Sequence, residues 1–155
     1  VYAGETFDQA MRLELGGVTF ELRDVGPAHT PGDSLVWLPE ERVVFAGDVV
    51  FVERMLRVAP HSSSRGWIAA FEAMAALEPA TVVPGHGPPS DLARARADTL
   101  DYLVFLRGSV GRFMDGGGSI TEVGGLDQSR FDYLVNFESL AGRNAQQVFQ
   151  EMEWE

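Results

Sequence analysis

The chain has no cysteine and no lysine. Without cysteine there is no thiolate nucleophile, no disulfide and no sulfur-ligated metal site, and the redox compartment leaves no trace in the sequence. Without lysine there is no Schiff-base chemistry and no amine nucleophile, because all 12 basic residues are Arg. Basic charge is scarce altogether: 23 acidic residues give a formal net charge of −11, and no basic stripe offsets it. Such a surface repels a phosphate backbone, so the expected partner is a small-molecule substrate and not nucleic acid. No apolar run approaches the roughly eighteen residues that a membrane span needs, and Val1-Tyr2-Ala3-Gly4-Glu5 has neither a basic start nor a hydrophobic block, so no membrane partner is expected. The chain opens on Val and not Met, which fits a processed or trimmed product.

Histidine is also rare, and the positions of the few that exist are informative. Only His29, His61 and His86 occur, and two of them stand with a carboxylate at three turn-like corners: Ala28-His29-Thr30-Pro31-Gly32-Asp33, Phe45-Ala46-Gly47-Asp48-Val49-Val50 and Val82-Val83-Pro84-Gly85-His86-Gly87-Pro88. Each corner follows a run that reads as a strand, so short loops on one sheet edge can converge on one point.

At 155 residues and 45% hydrophobic composition the chain is expected to form a single domain, 1–155, with one core. Met11 to Leu15 and Val18 to Arg23 alternate apolar and polar residues around Gly16-Gly17, the pattern of a hairpin. Leu35 to Leu38 and Arg42 to Ala46 form a second hairpin through Pro39-Glu40-Glu41, and both runs are apolar on both faces, so cover is expected on both sides. Ser62-Ser63-Ser64 supplies a cap for a helix bearing Trp67, Phe71, Met74 and Leu77, which read as packing residues; Pro79 ends it. Thr81-Val82-Val83 is a short buried strand delivering His86. Pro88-Pro89-Ser90 is expected to cap a long helix through Leu92, Leu100, Leu103, Leu106, Val110 and Phe113. Beyond Gly116-Gly117-Gly118, Ser119 and Glu122 form a capping-box pattern, Asp127 is expected to cap a helix around Phe131 to Phe137, and Asn144 a last one through Met152. The glycine triplet has no preceding strand and no following Lys, so it is no phosphate cradle, and Gly108-Ser109-Val110-Gly111 lacks the spacing of a serine-hydrolase elbow.

Imidazole nitrogen and carboxylate oxygen are suitable ligands for zinc, iron or manganese where thiolates are missing. Taken singly, His29, Asp48 and His86 would each read as a turn residue; together they read as metal ligands, with Asp48 able to bridge two ions. Asp33 reads as a turn residue binding backbone amides. Arg54, Arg57 and His61 are candidate substrate-binding residues, with solvated loop charge the equal alternative for the arginines and a loop role for His61. Met55 and Leu56 either line a pocket or anchor the loop. No residue is identified as the catalytic acid or base.

The three motifs, in their order and spacing, resemble the third, fourth and fifth metal motifs of the metallo-β-lactamase-fold hydrolases. Asp in place of Cys at position 48 makes the chain similar to the hydroxyacylglutathione-hydrolase-like (glyoxalase II-like) branch. Trp67-Ile68-Ala69-Ala70-Phe71 and Gly142 to Phe149 resemble the quinoprotein-relay and sulfur-oxidation-associated metallohydrolases, a likeness that points to the periplasm although no residue here reports export. The resemblance implies an α/β fold, the C-terminal half of an αβ/βα sandwich, with a mixed sheet covered by helices and a helical C-terminal segment. It implies two zinc ions in the complete protein, His29 on the first, His86 on the second and Asp48 between them, and attack by metal-bound hydroxide on a small thioester, lactone or ester. The family's His-x-His-x-Asp-His motif, which supplies the remaining ligands, is absent. Three explanations follow: a fragment lacking its N-terminal half and inactive by itself, a half-domain that docks the missing half or a second copy of the chain, or a degenerate non-catalytic form. A single-iron sulfur dioxygenase of the same fold is the neighbouring enzyme reading.

Overall fold

A computed structural model describes residues 4–155; Val1, Tyr2 and Ala3, part of the stretch without a targeting signal, lie outside the described residues. β1 (Ala10–Leu15) and β2 (Val18–Gly26) form an antiparallel hairpin. Its turn, Gly16-Gly17, has φ of 62° and 82°, values that glycine adopts without the steric cost of a side chain. β2 pairs antiparallel with β3 (Asp33–Leu38), β3 pairs antiparallel with β4 (Val43–Phe51), and β4 pairs parallel with β5 (Thr81–His86), giving the order β1-β2-β3-β4-β5.

A parallel neighbour needs a crossover, and helix α1 (Ser64–Ala75) provides it. Ser63 caps α1, its hydroxyl accepting the Gly66 N–H at 3.0 Å. Trp67, Phe71 and Met74 are fully buried on its inner face, and the Trp67 indole donates to the Val49 carbonyl at 2.8 Å. No helix among the described residues is long and apolar enough to cross a membrane.

After β5 the chain runs through α2 (Leu92–Ala95), a π-type turn (Arg96–Leu100) and α3 (Asp101–Asp115). The cap is Asp91, whose Oδ1 accepts the Arg94 N–H at 2.8 Å, and not Pro88-Pro89-Ser90. Ser90 is committed elsewhere: its backbone exchanges two bonds with Val82, at 2.8 and 2.9 Å. Half of the capping box is made: the Glu122 carboxylate accepts the Ser119 N–H at 3.3 Å, while the Glu122 N–H donates to the Ser119 carbonyl at 3.0 Å, ahead of a 3-10 turn at Val123–Gly125.

The C-terminal helix differs from expectation. No helix runs from Phe131 to Phe137; Asp127 accepts the Ser129 N–H ahead of a single 3-10 turn, Ser129–Phe131. The following backbone is used differently, since Val135 donates to the Glu53 carbonyl and accepts from the Met55 N–H, both at 3.0 Å. Helix α4 (Phe137–Met152) then runs unbroken through Asn144, which is a buried interior residue and not a cap.

The helices cover one face of the sheet. Leu35, Trp37, Val44, Ala46 and Val82 point into that side and join the helix residues in one core. On the opposite face, Met11, Leu22, Val36, Phe45 and Val83 align in register across all five strands. None of the five is buried, and Phe45 is 44% exposed on β4, an interior strand of the sheet. Cover on both faces of β3 and β4 is therefore not provided by the described residues.

Candidate metal centre

His29 sits in the turn between β2 and β3. Asp33 closes that turn, accepting the Thr30 N–H at 2.7 Å and the Thr30 hydroxyl at 2.9 Å, the backbone-binding role read from the sequence. From the other side, Ser62 donates its hydroxyl to the His29 carbonyl at 2.7 Å. The imidazole packs edge-on against Trp67, with centroids 5.4 Å apart.

Asp48 lies on β4 where the register against β5 shifts on both sides of Gly47. Such irregularities re-aim a side chain out of the regular ladder. His86 is the last residue of β5, its carbonyl accepts the Val52 N–H at 2.9 Å, and its ring stacks on Phe51 with centroids 4.7 Å apart. The parallel pairing of β4 and β5 thus brings Asp48 and His86 to the same sheet edge, and the β2–β3 turn brings His29 there.

The resulting geometry is symmetric about one carboxylate. His29 Nδ1 lies 3.6 Å from Asp48 Oδ2, and His86 Nε2 lies 3.6 Å from Asp48 Oδ1. These spacings are too long for hydrogen bonds. They fall within the range of about 3.3–3.6 Å expected for two donors that are each about 2.0–2.2 Å from one tetrahedral ion. Among the described residues, no hydrogen bond engages either imidazole or the Asp48 carboxylate, and no three or more His, Asp or Glu side chains converge on a single point. The arrangement is instead one imidazole at each oxygen of a shared carboxylate. The donor set fits a metal chemically, but it is not a closed site.

The other candidates fall in different places. His61 is exposed, its ring edge-on to His29 with centroids 6.4 Å apart, so the loop after β4 delivers it near the site although no strand does. Arg54 is exposed and lines a shallow cavity with Gly87, Pro88 and Val135, beside the His86 turn. Arg57 lines a separate groove against α4, with Arg143, Gln146 and Gln150. Met55 and Leu56 are buried and anchor the loop.

Three further residues shape this region without a clear mark in the sequence. Asn144 accepts the Val58 N–H at 2.9 Å and donates to the Leu56 carbonyl at 2.9 Å, tying α4 to the loop after Asp48. Asp98 and Thr99, both fully buried on the π-type turn, bond to the backbone at the end of β4. The i, i+4 spacing of Arg94 and Asp98 was the available signal for an ion pair, seen at 2.8 Å. The Asp98 bond raises the Arg94 pKa.

Comparison with known proteins places the fold in a family. The sequence profile of the metallo-beta-lactamase superfamily matches residues 5–86, more than half of the chain. Over 78 residues the chain is 28% identical to the 2,4-dinitroanisole O-demethylase subunit alpha of Nocardioides sp. (strain JS1661), covering 50% of this chain and 24% of that protein. Among solved structures, a metallo-beta-lactamase from Pontibacter korlensis is similar with a TM-score of 0.58 and 26% identity, over 64% of this chain and 47% of that one. The stereoselective inverting sec-alkylsulfatase Pisa1 from Pseudomonas sp. shares the fold over 94% of this chain and 26% of its own, with a TM-score of 0.73 and 19% identity. The chain thus spans between a quarter and a half of the length of these relatives. A mixed five-stranded sheet with helices, matched by the superfamily's profile over residues 5–86, identifies the chain as belonging to the metallo-beta-lactamase superfamily.

Proposed function

We propose that this chain forms the C-terminal half of a metal-dependent hydrolase of the superfamily, with His29, Asp48 and His86 as metal ligands and Asp48 shared between two ions. The observation that carries this reading is the pair of 3.6 Å approaches by which the two imidazoles face different oxygens of one carboxylate. Two nitrogens and a carboxylate without thiolate suit zinc, and iron or manganese would use the same donors. Bound there, the metal would polarise a small thioester, lactone or ester and lower the pKa of a water nucleophile.

The remaining tasks fall to this chain's own side chains. Asp48 presents one carboxylate oxygen toward each imidazole, at 3.6 Å. Trp67 and Phe51 pack against the imidazoles and shield them from water on the protein side. Arg54, beside the His86 turn, would hold an anionic group of the substrate, and exposed His61 would contact it from the His29 side. Arg57 lines a different groove, against α4.

The half-fold reading has two supports: the chain spans 47% of the Pontibacter korlensis structure, and the face carrying Phe45 has no cover among the described residues. Its complement would be a second αβ unit bringing the His-x-His-x-Asp-His ligands. Similarity to a protein named as a 2,4-dinitroanisole O-demethylase subunit favours an activated aryl methyl ether as a second substrate class. The test is zinc content and hydrolysis of a thioester, lactone and aryl ether panel in the complete protein. His29→Ala and Asp48→Ala are expected to lose both metal and activity. Full metal loading in both variants contradicts the assignment.

A further inference from the structure

Three consecutive N–H groups at the end of β4 are each held by a different partner. Phe51 donates to Thr99 Oγ1 at 3.0 Å, Val52 to the His86 carbonyl at 2.9 Å, and Glu53 to Asp98 Oδ2 at 2.7 Å. Thr99 also donates its hydroxyl to the Phe51 carbonyl at 2.7 Å. A hydroxyl that accepts from the N–H and donates to the C=O of one residue holds that residue much as a neighbouring strand does. The backbone of Phe51 is therefore fixed by Thr99 as well as by its pairing with His86 on β5.

Asp98 and Thr99 occupy the π-type turn Arg96–Leu100, a rare helical irregularity that often marks functional regions. Both are 0% exposed. A buried carboxylate is costly unless it is paired, and Asp98 is met by Arg94 Nε at 2.8 Å and by the Tyr133 hydroxyl at 2.9 Å. Glu53 has φ of 58°, a left-handed conformation that is strained for a residue with a β-carbon. The Asp98 bond to its N–H and the Val135 bond to its carbonyl hold it there. A buried charge, a π-type turn and a strained residue thus meet just beyond Asp48.

What they hold in place is the Phe51 ring. It stacks on His86 at 4.7 Å with planes 29° apart, and lies 6.1 Å from the rings of both His29 and Trp67. With no hydrogen bond to either imidazole among the described residues, ring packing sets their orientation. We propose that Thr99 and Asp98 are positioning residues for His86, acting through the backbone of Phe51 and Glu53 and the ring of Phe51. The inference rests on the reading of His86 as a metal ligand and extends it to residues on a different element.

The test uses the 155-residue chain, with histidine-ring nitrogen NMR and zinc chloride as the probe. Thr99→Ser keeps the hydroxyl; Thr99→Val keeps the shape and loses it. Thr99→Ser is expected to overlay on wild type. Thr99→Val is expected to shift the His86 ring resonances in the zinc-free chain, leave those of His61 in place, and weaken zinc binding about tenfold. Tyr133→Phe, at a half-exposed side chain, removes one Asp98 bond without opening the core and is expected to shift His86 by a smaller amount. If His86 is unmoved in folded Thr99→Val, or unmoved in Tyr133→Phe where Thr99→Val does not fold, the proposal is overturned. Failure of the metal reading has a different signature: zinc would leave the His29 and His86 signals of the wild type unchanged, while the zinc-free comparison still decides the role of Thr99.

Discussion

Gly85 passes Asp48 so closely that a β-carbon at position 85 would collide with the carboxylate Oδ1 and with the backbone at Gly47. The strand that delivers His86 can therefore reach the carboxylate only because this residue lacks a side chain. Gly85→Ala forces Asp48 out of line with both histidines. The variant is expected to lose about 1–3 kcal/mol of stability through overpacking and to lose zinc affinity out of proportion to that. Chemical denaturation and zinc titration on the same preparation check it; unchanged zinc affinity would show that Asp48 is not a ligand.

Asn144 links the last helix to the loop that follows Asp48. Its carboxamide satisfies the Val58 N–H and the Leu56 carbonyl and also donates to the Tyr102 hydroxyl at 3.0 Å. Tyr102 in turn donates to Gln128, which donates to the Ala141 carbonyl. Asn144→Leu keeps the volume but strands buried backbone groups, each costing about 1–3 kcal/mol. A loss of about 2–5 kcal/mol in urea unfolding is expected; a loss within the range of a surface substitution contradicts the network.

Tyr133 gives a pH signature. Burial, and then its bond to the Asp98 carboxylate, raise its phenol from 10.0 to about 12. Because the folded pKa lies above the unfolded one, the stabilisation is fully present below about pH 10 and is lost as pH rises toward 12. Tyr133→Phe should remove a tyrosinate absorbance step near pH 12 and flatten the alkaline loss of stability. A Tyr133 step near pH 10 would mean that neither the burial of the phenol nor its bond to Asp98 persists in solution.

Phe45 tests the uncovered sheet face. In the 155-residue chain, Phe45→Glu should leave stability nearly unchanged and reduce self-association measured by light scattering, because the side chain it replaces is 44% exposed. In a complete protein with a second αβ unit on that face, the same substitution should destabilise strongly. Equal effects in both settings contradict the half-fold reading.

Most of the sheet was legible because its signals are local. Two glycines with positive φ make the first hairpin, alternation marks β1 and β2, and the strand-plus-turn corners carry His29, Asp48 and His86 to one edge. The helical half was less legible where tertiary hydrogen bonds overrode local preference. Asn144 has the chemistry of a cap, yet it lies inside α4 because buried loop backbone needs its carboxamide. Residues 131–137 have apolar spacing, but Val135 among them is drawn into backbone bonds with Glu53 and Met55. Asp98 and Thr99 look like ordinary polar positions in a helix, since nothing in sequence spacing reveals a π-type turn or a partner 45 or more residues away.

Metal carried by Asp48 and the two histidines would be visible in a crystal of this chain grown with zinc and measured at the zinc absorption edge. Anomalous peaks beside Asp48, one toward His29 Nδ1 and one toward His86 Nε2, are expected, and both should vanish in Asp48→Ala. Zinc bound only at other surface carboxylates, with His29, Asp48 and His86 free of density, would contradict the assignment.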